Sequence, residues 1–219
     1  MKKYKYTGKT KKVNGTTVHQ IVAVRNFGVV KAGDVGGWIK NHKNLSNERD
    51  AWVYSDALVY GDAQVYGDAL VYGNARVYGN AQVYGNALVS DNAQVFGDAR
   101  VYGDALVYGN ARVYGNVRVY SDAQVSGNVR VSGDAWTKSP LCIQGTKFSV
   151  TTSSYTTVTI GCETMTIHNW LGSKGLLLAK DEGFTKAEIQ EYREYIKLAD
   201  KYLKRLRKAN NTEGPKECG

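Results

Sequence analysis

The chain has 219 residues, 42% hydrophobic and 22% charged, which is enough apolar material for a core and argues against generic disorder. It lacks a run of about 18 apolar residues, so a membrane span is not expected, and its basic amino terminus lacks the apolar stretch of a secretory signal. The net charge of +9 is uneven: residues 1–50 carry +8, residues 51–136 carry −3 and residues 137–219 carry +4. Basic ends could attract nucleic acid, nucleotides or acidic surfaces, or serve as solvated outer ends of a solenoid. Cys142, Cys162 and Cys218 are too scattered for a disulfide framework or a metal site. They point to a reducing cytoplasm and to buried or inert thiols.

Residues 1–50 read as an N-terminal cap, with strand-like stretches at 18–25 and 27–30 and a glycine-rich segment from Ala32 to Ile39. Trp38 is placed there to plug the open end of the core. From residue 51 to 136 the pattern Ala-x-Val-Tyr-Gly-Asp/Asn repeats every six residues. Valine falls at 53 and at every sixth position through 131, with alanine four residues after each except at Val117 and Val129. A helix would repeat on 3.6 residues and a lone strand on 2, so each hexad must be a short strand plus a corner. Ala and Val face inward, x faces outward, and Gly-Asp or Gly-Asn tolerates the corner. Corner carboxylates such as Asp62, Asp98 and Asp134 are expected to bond turn amides.

Residues 137–184 read as a strand-rich C-terminal cap, with Phe148, Val150, Val158 and Ile160 alternating around a Thr/Ser loop at 151–157. Thr185 and Glu188 form a capping box that opens an amphipathic helix over 185–209. Its apolar seam is Ile189, Tyr192, Ile196, Ala199, Leu203 and Leu206. Residues 210–219 read as a disordered tail.

An aliphatic residue followed four positions later by a small one, every six residues, resembles the hexapeptide repeat of left-handed parallel β-helices. The resemblance implies an all-β solenoid with small caps and a C-terminal α-helix, in which three hexads make one coil. The Gly33–Ile39 segment, Asn44-Leu45-Ser46, the Leu141 and Ile160 strands and Trp170 together resemble hexapeptide-repeat proteins of phage and prophage genomes. With three hexads per coil, residues 18 apart stack. The outward columns are then Trp52, Leu70, Leu88, Leu106, Gln124; Leu58, Arg76, Gln94, Arg112, Arg130; and Gln64, Gln82, Arg100, Arg118, Trp136. Tyr60, Tyr78, Phe96 and Tyr114 stack at one corner, and Tyr66, Tyr84, Tyr102 and Tyr120 at another.

A leucine column left in water would aggregate, so it needs a cover, either the chain's own C-terminal helix or a neighbouring subunit. The expected interface is Trp52, Leu70, Leu88 and Leu106, together with helix residues Ile189, Tyr192, Ile196 and Leu203, in a homo-oligomer, with a trimer favoured. Hexapeptide acyltransferases use a histidine base, yet no histidine lies between residues 43 and 167 and the coils carry no inserted loop. The reading is therefore non-catalytic, with no cofactor and no metal. It is a cytoplasmic binding protein that captures a small anionic ligand, such as a host nucleotide signal sequestered by a phage protein. Ligand contacts are assigned to Arg76, Arg112, Arg130, Arg100 and Arg118, with Tyr78, Phe96 and Tyr114 stacking on a base. The acidic coil argues against an extended nucleic-acid footprint. A structural scaffold is the alternative, and an acyltransferase-like enzyme the second alternative.

Overall fold

Each hexad folds as a short strand and a corner, and each strand pairs in parallel with the strands one coil below and one coil above. Leu88 lies between Leu70 and Leu106, Gln94 between Arg76 and Arg112, and Arg100 between Gln82 and Arg118. The computed structural model describes residues 2–133 and 135–212. Three parallel walls make a β-solenoid of about five turns. The backbone ladder is regular: Leu88 N–H donates to the Ala105 carbonyl at 3.0 Å and Ser90 N–H to that of Val107 at 2.9 Å. Every repeat valine from Val53 to Val131 is fully buried, as are the alanines from Ala51 to Ala123. At the Gly97 corner φ is +71°, and an added Cβ would stand 2.9 Å from the Gly115 nitrogen, so the position excludes side chains twice over.

The N-terminal cap joins the coil wall earlier than the hexads do. β1 (Tyr4–Val13) and β2 (Thr16–Ala23) form an antiparallel hairpin, and β3 (Val35–Ile39) pairs antiparallel with β2 but parallel with Leu58–Val59. Ile39 stands beside Val59 and fills the inward place. Trp38 stands beside Leu58 on the outer wall, where Lys11 Nζ sits 4.2 Å from its ring, so it is no plug. Trp52, although in an outward position, is fully buried against Tyr4 and Phe27 of the cap. Lys3 is fully buried as well, and its Nζ donates to the carbonyls of Ala51 (2.7 Å), Arg49 (3.2 Å) and Glu48 (3.4 Å).

At the other end the register slips by one residue. Arg118 pairs with Ala135 and Val119 with Trp136, so Trp136 leaves the outward column and is buried in the valine register. Because side chains alternate along a strand, a slip of one inverts the face.

Residues 1–139 and 140–219 form two compact units. The second unit holds four antiparallel strands: Cys142–Gln144, Ser149–Thr152, Thr157–Ile160 and Glu163–Thr166. Two short helices that the sequence reading missed follow, α1 (Ile167–Leu171) and α2 (Ser173–Asp181). α3 (Lys186–Thr212) starts at the expected box: Thr185 N–H donates to Glu188 Oε2 at 2.7 Å, and Glu188 N–H to Thr185 Oγ1 at 3.2 Å. Its Tyr192, Ile196 and Ala199 pack with Val150, Val158 and Trp170. The helix continues through Thr212, past the expected boundary at 209. The remainder of the expected tail, with Cys218, lies outside the described residues, as does Asp134.

Two predictions follow from burial. Val95→Asp places an unpaired charge among fully buried side chains and lowers stability by several kcal/mol, read by thermal melting. Lys3→Met leaves three carbonyls without their donor and lowers stability at pH 7 by about 1–3 kcal/mol. Burial lowers the Lys3 pKa from 10.5 to about 8. The folded state therefore releases this proton first, and the unfolded state binds more protons above pH 8. The wild-type melting temperature should rise relative to Lys3→Met between pH 8 and about 10, where tyrosine begins to ionise.

Candidate functional site: arginine pairs on the coil walls

The expected columns place all five arginines on outer walls, and all five are exposed. Arg112 and Arg130 are direct neighbours on one wall, whereas Gln94 separates Arg76 from Arg112. Arg100 and Arg118 are direct neighbours on the next wall. Neighbouring strands set each pair about 4.8 Å apart at the backbone. None of the ion pairs among the described residues involves these arginines.

Arginine at x and tyrosine at x+2 project to the same outer side of a strand. The two pairs therefore meet different aromatic ladders. Arg76 and Arg112 act on Tyr78, whose hydroxyl pKa burial raises and these arginines lower. Arg100 and Arg118 act on Tyr84 and Tyr102, where burial again raises the pKa and the arginines oppose it. Grouping Arg100 and Arg118 with Tyr78, Phe96 and Tyr114 is thus a misplacement, since they line the other ladder.

The ladders are tight. Tyr60–Tyr78, Tyr78–Phe96 and Phe96–Tyr114 stack at 5.1, 4.9 and 5.2 Å, and Tyr84–Tyr102 at 4.8 Å. Both faces of Tyr78 and Phe96 are consequently taken by their neighbours, which leaves only ring edges for a ligand. Tyr114 ends its ladder opposite Ser132 and keeps one face free of a ladder ring.

The corner carboxylates differ in their partners. Asp56 and Asp122 pair with Lys11 and Lys138, whereas the carboxylate of Asp62, one of those expected to bond a turn amide, enters no hydrogen bond or ion pair among the described residues. Asp68 and Asp91 accept backbone amides as expected, from Asp50 at 3.2 Å and Gly109 at 2.9 Å. Asp98 and Asp104 instead accept the side-chain amides of Asn80 and Asn86, each at 2.9 Å. Asn74, Asn92, Asn110 and Asn128 continue the same device as an amide ladder.

Of the expected interface residues, Leu70, Leu88 and Leu106 stand half-buried in one column. Trp52, Tyr192, Ile196 and Leu203 are buried in the chain itself. Ile189 lines a cavity of about 100 Å³ in the second unit. The histidines are dispersed: His19 and His42 sandwich Tyr6 at 4.7 and 4.5 Å, while His168 is exposed on α1. Of the expectation of buried or inert thiols, burial does not hold: Cys142 and Cys162 are exposed free thiols.

The search of curated proteins gave no match to the chain. A family match does cover the coils, to the YdcK beta solenoid repeat, over residues 63–79, 81–97, 93–109, 105–121 and 123–137. Through these residues the chain is similar to YdcK-type beta solenoids, and it is a repeat β-helix protein.

Proposed function

We propose that this protein is a non-catalytic binding protein whose coil walls capture small phosphate-bearing ligands. The observation that carries this reading is the pairing of Arg100 with Arg118 and of Arg112 with Arg130 on neighbouring strands, exposed and without a carboxylate partner among the described residues. Like charges placed directly opposite each other in a sheet are destabilising, so each pair gains from an anion between its members. Two arginines whose backbones stand about 5 Å apart can turn two planar guanidinium forks to adjacent phosphate groups. Base stacking falls to Tyr114, and the hydroxyl edges of Tyr84 and Tyr102 offer further contacts.

The remaining parts of the proposal rest on the hexad pattern and its resemblances. The solenoid is left-handed and of the hexapeptide type. The protein is phage-encoded, acts in the host cytoplasm and sequesters a nucleotide signal without altering it. Subunits associate, as a trimer, through the Leu70, Leu88 and Leu106 column, whose half-buried side chains recur at strand spacing. The rival reading, a rigid scaffold, is favoured by the unbroken ladder and the fully buried valine core.

Calorimetry against linear and cyclic nucleotides tests the capture, with chromatography of the recovered ligand. The expected outcome is binding that Arg100→Gln with Arg118→Gln weakens by about 2–4 kcal/mol, on the scale of two charged hydrogen-bond partners, with the ligand returned intact. No binding to any nucleotide at about 100 μM, a threshold near −5 kcal/mol, leaves the scaffold reading. A chemically changed ligand contradicts the non-catalytic one.

A further inference from the structure

We propose that the second unit carries its own binding site, independent of the arginine walls, for a small aromatic or branched aliphatic molecule without negative charge. The site is the cavity of about 100 Å³ between the Thr157–Ile160 and Glu163–Thr166 strands and the helices. Its wall is apolar and aromatic: Ile160, Trp170, Phe184, Tyr192 and Ile196. Apolar cavities of about 150 Å³ stay dry and take up benzene-sized guests. This one is somewhat smaller but open, since Phe148 and Leu176 both line it and are 39% and 36% exposed. One ring or one branched alkyl group fits inside, with any polar end left at the mouth. A peptide segment is too large for this volume.

The wall offers a ligand no free polar atom from its aromatic side chains. Trp170 Nε1 donates to the Val158 carbonyl at 2.7 Å. The Tyr192 hydroxyl donates to the Phe148 carbonyl at 2.8 Å and accepts the Lys147 N–H at 3.0 Å. A guest is therefore held by burial of its own apolar surface. Charge at the lining then selects among apolar guests. Glu163 and Glu182 are exposed there and enter none of the ion pairs among the described residues. Against these two carboxylates the lining holds one cation, Arg193, which donates to the Leu171 carbonyl at 3.0 Å, while Lys147, whose Nζ lies 4.6 Å from the Phe184 ring, is paired with Glu188 at 3.6 Å. The balance is negative, so neutral and cationic guests are accepted and carboxylates are disfavoured.

Cys162 lines the cavity and is exposed, whereas Cys142 is exposed and lies outside it, which supplies a reporter and an internal control in one chain. The full chain is alkylated with iodoacetamide alone or with benzyl alcohol, benzylamine or benzoate, and each cysteine is followed by peptide mass spectrometry. Benzyl alcohol and benzylamine are expected to slow Cys162 about tenfold at about ten times their Kd, with Cys142 unchanged and benzoate without effect. Ala179→Phe, which fills the cavity from α2, should make the Cys162 rate independent of all three probes. The proposal is overturned if no probe changes the Cys162 rate relative to Cys142 up to its solubility limit. It is equally overturned if benzoate protects as well as benzylamine. The wild-type comparison decides the matter even if the filled variant does not fold.

Discussion

The parallel backbone ladder, which joins each residue of the coil to the one 18 positions on, is the constraint from which the rest of the solenoid follows. It forces like to stack on like at strand spacing. Stacked valines make a continuous buried column, and stacked aromatic rings fill the corners. Stacked amides hydrogen-bond in series. Stacked carboxylates would repel, and the corners avoid them: Asn80 stands beside Asp98, and Asn86 beside Asp104. Where carboxylates do fall one coil apart, a cation stands by: Lys138 sits 3.3 Å from Asp122, one coil from Asp104, and Arg49 2.9 Å from Asp68, one coil from Asp50. The arginine pairs are the departure from this economy of charge. They repeat the same cation on neighbouring strands and leave both members exposed, which is why the binding reading centres on them.

Much of the coil was legible because one-dimensional spacing maps directly onto three-dimensional stacking. Once valine recurs every six residues and three hexads close a turn, the outward columns follow without further information. Stacking is no longer legible where the period is lost. β3 contains no hexad, yet it pairs with Leu58–Val59, and no spacing in the segment points to this, since Ile39 is buried while Val35, four residues before it, is exposed. Trp136 sits at the expected spacing but one residue out of register, because the last hexad closes short. The face of Arg100 and Arg118 was read correctly, but their ladder was not. The corner that follows each strand decides this, and Arg100 runs into Tyr102, not into the ladder of Phe96.

The second unit was less legible because its contacts are irregular. The capping box at Thr185 announced α3, yet α1 and α2 are too short to show a full helical period. Thr166 as the N-cap of α1 and the Leu176–Leu177–Leu178 run were the available signs. A cavity leaves no mark in sequence spacing at all, since it arises from residues between 148 and 196 brought together by packing. The exposed Cys142 and Cys162 make the same point, because thiol burial depends on neighbours far along the chain. The two units thus offer opposite chemistries: a charged, open wall built by repetition, and an apolar recess built by packing.

If register rather than composition makes the anion site, moving the register should destroy it without removing an arginine. Excision of one hexad, residues 105–110, keeps all five arginines and the valine period. It sets Arg100 one coil from Gln124 in place of Arg118, while Arg112 and Arg130 remain neighbours. The decisive measurement is calorimetric titration of this variant beside the wild type with the same nucleotide, after circular dichroism establishes that the coil is retained. The account predicts a folded solenoid that has lost the site of the broken pair and kept that of Arg112 and Arg130, so that fewer nucleotides bind per chain than in the wild type. An unchanged stoichiometry on a retained coil would contradict it.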